Sequence, residues 1–214
     1  MNQKLLIIGL IFVLFLITSC LSTKQTAIFR QMKKETDTLI VISPYLEIIA
    51  FDFREKTPDS VLADLNKELI TRVTNQLLSS RYVLKHIEMP ALDKDKLLEL
   101  FNKADNPSVE DIMPQKQTFF ADLKGTENPQ LALFITYHAE YNSVTTAVRT
   151  NSMSNTWGFV PSARPHSDLR LIVFNMQTDE IVFYNFYDTR NYGANSPADM
   201  ERMTRKILKD IYYK

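Results

Sequence analysis

The chain has 214 residues, with 25 Lys plus Arg against 25 Asp plus Glu, and 45% of its residues are apolar. That length fits one domain with a tail, and that apolar share excludes wholesale disorder. Zero formal charge excludes the basic excess of a general nucleic-acid binder, and the single cysteine excludes an intrachain disulfide or a Cys-rich zinc site.

The first twenty residues read MNQKLLIIGLIFVLFLITSC. Lys4 is the only charge before the cysteine, and residues 5–17 form an apolar run of thirteen. A positive start, an apolar middle and small residues before a cut are the three parts of a secretory signal. The run is short for a spanning helix, which needs about 20 apolar residues. Ile17-Thr18-Ser19-Cys20 resembles a bacterial lipobox: an aliphatic residue, two small residues, then an obligatory cysteine. The resemblance implies lipidation of the Cys20 thiol, cleavage before Cys20 and acylation of the new amine. Several acyl chains on one cysteine hold a protein to a bilayer stably, where a single chain does so only marginally. Leu21 follows the cysteine; an Asp there is an inner-membrane retention signal in some bacteria, so its absence points to the outer membrane. The competing readings are an uncleaved inner-membrane anchor and an ordinary signal cut elsewhere. Cleavage removes only Lys4 among the charges and leaves 24 cations against 25 acids.

Residues 1–19 are thus read as a lipoprotein signal peptide, 20–37 as a lipidated tether, and 38–214 as a single α/β domain. As a flexible coil of about 16 residues the tether spans roughly 20–25 Å. Ile28, Phe29 and Met32 fall on one short helical face within it, and Lys33-Lys34 reads as solvated surface. Residues 39–53, rich in Ile, Val, Phe and Tyr, predict extended chain divided at Pro44, because proline cannot donate to a sheet ladder. Thr57-Pro58 reads as a cap and first helical position. Val61, Leu62, Leu65, Leu69, Val73 and Leu77 then predict an amphipathic helix over 58–79.

Residues 81–88 predict a second strand, and 93–103 a shorter helix with Leu97, Leu98 and Phe101 inward. Pro107, Pro114 and Pro129 break the segment 104–130. Residues 131–141 read as a strand whose first half is buried on both faces. A polar continuation or the next strand over 142–150 and a long loop over 151–167 follow. Residues 168–175 and 181–188 predict a hairpin. Residues 191–197 turn the chain into a last helix over 198–213, with Met203, Ile207, Leu208 and Ile211 inward. The order β-α-β-α-β-β-β-α after the signal peptide predicts a mixed β-sheet flanked by helices, an α/β (α+β) fold.

Chemistry is sparse. His86, His138 and His166 have no metal-ligand spacing among themselves or to the cysteine. His166-Ser167-Asp168 holds the three letters of a hydrolase triad, but adjacent residues cannot form a relay in which one imidazole contacts both partners. Asp93-x-Asp95 lacks the glycine of a calcium loop. Glu47 with Asp52, or Glu110 with Asp111, reads as solvated acids, since nothing sets a catalytic separation. The scattered glycines make neither a phosphate loop nor a strained nucleophile elbow. No catalytic residue, metal or cofactor is expected. The loop around Trp157, the only tryptophan, carries Phe159, Arg149, Arg164 and His166 nearby. Aromatics and Arg dominate binding hot spots, so Trp157, Phe159 and Arg164 are the candidate protein-contact residues. The competing reading has Trp157 folded back against the sheet edge.

The order of elements over residues 39–214 resembles a group of bacterial envelope lipoproteins and related domains. The group comprises the curli-secretion lipoprotein, the lipoprotein activators of penicillin-binding proteins and the small domain of the Tol-system propeller protein. The matching segments are TLIVISPY, SVLADLNKELITRVTNQLL, RYVLKHIE, DKLLELF, LALFITYHAEY, DLRLIVFNMQTDEIVFYNFY and DMERMTRKILKDIYY. Many members have Thr-Gly in the hairpin, where this chain has Thr178-Asp179. The resemblance implies a non-enzymatic module of the cell envelope, facing the periplasm, held to the membrane through lipid on Cys20 and acting by contact with an envelope protein. The alternatives are a self-associating subunit (a homo-oligomer) of a secretion or export assembly, and a hydrolase whose site the sequence hides.

Overall fold

The computed structural model describes residues 24–52, 55–88, 131–142, 166–178, 180–190 and 192–212. They form an eight-stranded mixed sheet with three helices. In chain order these are β1 (Lys24–Gln25), α1 (Ala27–Glu35), β2 (Thr38–Ile42), β3 (Tyr45–Asp52), β4 (Glu55–Pro58), α2 (Ser60–Leu78), β5 (Val83–Ile87), β6 (Leu131–Asn142), β7 (His166–Asn175), β8 (Glu180–Thr189) and α3 (Pro197–Tyr212). The sheet runs β1-β8-β7-β6-β2-β5. The expected helix over 93–103 and the segments 104–130 and 143–165 lie outside the described residues.

β6 is the organising strand. Its first half pairs in parallel with β2, Leu39 opposite Leu131, and its second half pairs in parallel with β3, Tyr45 opposite Thr136. The break at Ser43-Pro44 therefore divides one long extended run along a single neighbour, as the proline predicts. A parallel pair needs a crossover, and α2 lies in the one that joins β2 to β5. β6, β7 and β8 continue as an antiparallel meander. The expected 175–180 hairpin is closed by Asn175, whose Oδ1 accepts from the Gln177 amide at 2.9 Å.

Strand alternation divides the core in two. Leu39, Val41, Leu133, Ile135, Tyr137, Leu169, Leu171 and Val173 point to the face on which α1, α2 and α3 pack. Ile40, Ile42, Ala132, Phe134, Ile172, Phe174 and Tyr184 point to the other and form a second apolar cluster. This explains the continuous apolar start of β6: both of its faces are buried. The closing helix is buried through Met203, Ile207, Leu208 and Ile211, the expected set, together with Met200 and Thr204.

Three expectations are corrected. Thr57-Pro58 does not open the helix. Pro58 ends β4 opposite Ile49, and Asp59 caps α2 by accepting from the Leu62 amide at 2.9 Å. A carboxylate one residue on meets the free N–H groups, so the helix begins there. The buried stripe of α2 also rotates away from Val61 and Leu65, which are exposed, toward Asn66, Ile70, Thr74 and Leu78. Asn66 is tolerated inside because its amide donates to the Ala194 carbonyl at 2.9 Å.

The third correction concerns the tether. From Lys24 onward it is folded onto the domain. Lys24 pairs with Tyr184 on β8, and Thr26 donates to the Val182 carbonyl at 3.0 Å. Thr26 then caps α1 by accepting from Phe29 N at 3.0 Å. Phe29 is 1% exposed, its ring 4.9 Å from that of Phe183. Val182 has no partner in the β7 register, a bulge that leaves Val182 and Phe183 both in the helix-side core. Burial of Phe29 and Met32 explains why a nine-residue helix is stable here.

Candidate contact surface

None of the residues singled out from the sequence for lipidation or contact (Cys20, Ile17, Thr18, Ser19, Trp157, Phe159 and Arg164) lies among the described residues. The stems of the Trp157 loop do. β6 ends at Asn142, β7 begins at His166, and Glu140 stands opposite His166 in the register. The described strands on either side of residues 143–165 thus meet at one end of the sheet, and that end carries a belt of charge.

The belt follows from register. On the face away from the helices, Glu47, His138, Asp168 and Asp188 are direct cross-strand partners on β3, β6, β7 and β8. His138 Nδ1 lies 3.3 Å from the Glu47 carboxylate, and His166 Nδ1 lies 3.3 Å from Asp188. Lys56 on β4 reaches Glu140 at 3.2 Å. Arg170 donates from Nε to Asp168 Oδ2 at 2.7 Å, while Asp168 Oδ1 is buried without a hydrogen-bond partner. Toward the other end of the same face the side chains become Phe134, Ile172, Phe174 and Tyr184. One face therefore has an apolar half and a charged half, the charged half lying where the loop leaves.

Alternation also settles the triad letters. His166 and Asp168 share the belt face, but Ser167 points to the other, where its hydroxyl lies 3.1 Å from the Tyr137 hydroxyl and donates to the Tyr192 carbonyl at 3.0 Å. Ser167 is a buried strut, separated from His166 by the sheet. Burial pushes the Tyr137 phenol up to about 12. Near the same sheet end, the Tyr141 hydroxyl donates to Asp59 Oδ2, and Asp59 also caps α2. The Tyr141 bond and then the Leu62 amide hold the Asp59 carboxyl below its ordinary range, while burial and that same bond raise Tyr141 to about 12.

Two clefts flank α2. One of about 680 Å³ lies between α2 and β5, with Arg72, Asn75 and His86 on its walls. The other, about 560 Å³, lies between α2 and the turn before α3, beside Leu65 and Ala194. Val61, Leu65 and, on β5, Val83 are the large apolar residues most exposed in this part of the molecule. Among the described residues no group of three His, Cys, Asp or Glu side chains is placed to hold a metal ion, and no helix is long and apolar enough to cross a membrane.

A third concavity, about 500 Å³, sits where the carboxyl ends of all three helices meet. Lys33 donates to the Asp210 carbonyl of α3, and Arg81, just past α2, donates to the Lys33 carbonyl of α1. Helix carboxyl ends carry partial negative charge and unpaired carbonyls, so these cations complete the fold. Burial, then the Arg81 charge, lowers the Lys33 pKa.

Sequence reasoning missed the belt. Its trace was visible as charges two apart, His138/Glu140 and His166/Asp168/Arg170, but only the register brings them into one row.

No family model matches the chain, and no curated protein matches it. Solved structures match it at low similarity. The PelC dodecamer from Paraburkholderia phytofirmans is 11% identical, with TM-score 0.38 over 84% of this chain and 89% of that one. Lipoprotein GNA1162 from Neisseria meningitidis is 13% identical, with TM-score 0.35 over 81% and 94%. A putative neuraminyllactose-binding hemagglutinin homolog from Helicobacter pylori is 11% identical, with TM-score 0.37 over 84% and 82%.

Proposed function

We propose that this chain is a lipid-anchored module of the bacterial cell envelope, held at the outer membrane, facing the periplasm and working by protein–protein contact. The observation that carries the reading is Ile17-Thr18-Ser19-Cys20, placed directly after a thirteen-residue apolar run in a chain with no other cysteine. Acyl chains on Cys20 supply the anchor. The folded part supplies the docking surface, and the sheet end that carries the charged belt and the stems of the Trp157 loop is its contact region. Arg, aromatic and paired charged side chains there suit recognition of a protein surface.

Labelled palmitate and a Cys20→Ser variant test the anchor: the parent takes up label and fractionates with membranes, and the variant does neither. A variant processed and retained like the parent refutes it. Crosslinking in the native envelope followed by mass spectrometry tests the contact reading, which requires adducts from the 143–165 loop or the belt to another envelope protein. Adducts only between copies of this chain establish the self-associating alternative instead.

A further inference from the structure

This inference rests on the anchor reading above. Lipid on Cys20 would be attached four residues before Lys24, the first residue of β1. Four extended residues reach at most roughly 14 Å. A folded chain of this size has a radius of gyration of about 16 Å. The leash is therefore shorter than the body it holds, and the body cannot turn its far side to the membrane.

We propose that the β1 edge of the sheet, with the outer flank of α1, rests on an anionic bilayer surface, and that β5 and the cleft beside it are turned away into the periplasm. Three observations converge on that edge. β1 pairs with β8, so the chain arrives at one fixed side of the sheet. Ile28 is 49% exposed on α1. It lies five residues, about 140° of helix, from Lys33, which reaches toward α3, so Ile28 projects from the flank away from α3. α1 also carries three cations against one acid, with Arg30 and Lys34 exposed. Arg30 and Lys34 stand about 160° and 120° round the helix from Ile28, with Gln31 between, so one exposed flank of α1 runs from an apolar border to a cationic one, and such a flank suits an anionic lipid interface. Between β1 and β5 lie five strand spacings, roughly 24 Å.

The experiment uses the full processed chain. Its one native thiol is consumed by acylation, so a cysteine introduced at exposed Ile28 or exposed Val83 takes a spin label alone. The protein is reconstituted in vesicles of phosphatidylethanolamine and phosphatidylglycerol doped with nickel-chelating lipid, and relaxation enhancement by the headgroup nickel is read at each site. The expected result is enhancement several-fold greater in Ile28→Cys than in Val83→Cys, with Gln31→Cys on the same helix behaving like Ile28→Cys. Replacing Arg30 and Lys34 by Glu lowers the enhancement at Ile28→Cys in these vesicles and leaves it unchanged in phosphatidylcholine. Equal enhancement at Ile28 and Val83 in a chain that has incorporated palmitate overturns the apposition alone. A chain that takes up no palmitate overturns the anchor reading, and the apposition with it.

Discussion

Phe29→Ala separates a domain that begins at β1 from one that begins after a free tether. Phe29 is 1% exposed, its ring 4.9 Å from that of Phe183, and Met32 is buried one turn on. Truncating a buried phenylalanine removes its transfer free energy and leaves a cavity, together costing about 3–5 kcal/mol. For a domain of this size each kcal/mol lowers the melting temperature by about 2–4 °C, so a loss near 3 kcal/mol is a drop of about 6–12 °C. If α1 undocks before the rest unfolds, the loss stops at its docking free energy, and protease cuts then appear within residues 24–35 of the variant while the parent resists. The assay is thermal unfolding by circular dichroism of parent, Phe29→Ala and Ile28→Ala in the same detergent, with limited proteolysis alongside. Ile28 is half exposed, and its truncation is expected to stay within about 0.5 kcal/mol. Indistinguishable melting and cleavage for the two variants would show that α1 contributes nothing to the fold and that the short-leash geometry is wrong.

Ser167→Ala leaves the buried Tyr137 hydroxyl without its partner, and urea unfolding is expected to show a loss of about 1–3 kcal/mol; adding Tyr137→Phe removes the orphaned hydroxyl and restores part of it. A double variant no better than Ser167→Ala contradicts the strut. Asp59 is held below its ordinary value of 3.8, so its contribution is fully present above that pH and is lost as pH falls through the lower folded value. Asp59→Asn is therefore expected to flatten the acid limb of a stability–pH curve, and an unchanged limb refutes the assignment. Tyr137, Tyr141 and Tyr184 titrate near 12 in the fold against an ordinary 10.0. Their contribution is present below about 10 and disappears as pH rises toward 12, so melting temperature is expected to fall through that window.

Local pattern carried much of the fold into the sequence, and its failures have identifiable causes. The 175–180 hairpin, the break at Pro44 and the inward residues of α3 were legible because each rests on short-range rules: alternation, a missing donor, a period of 3.6. Thr57-Pro58 misled because a proline fits the first helical turn and the end of an edge strand equally well. Asp59 decided the matter with its bond to the Leu62 amide. The docking of α1 was half legible. Ile28, Phe29 and Met32 stood on one helical face, but nothing in a polar seventeen-residue stretch says that Phe183, some 150 positions later, waits to receive it. The belt was illegible for the same reason. Whether Glu47, His138, Asp168 and Asp188 form one row depends on four strands keeping a common register.

That register bears on what the belt is for. A carboxylate buried between strands with one oxygen unpaired is costly, and the fold partly offsets the cost by setting Arg170 two residues on, on the same face. A structural solution to the same problem lies one strand face away, where Ser167 and Tyr137 satisfy each other and a backbone carbonyl. Asp168 stands near the sheet end where β6 stops at Asn142 and β7 starts at His166. Its neighbours there, His138 with Glu47 and His166 with Asp188, are exposed pairs of little stabilising worth. Under the contact reading proposed above, this row faces an opposing charged surface, since as exposed pairs its charges do little for the fold.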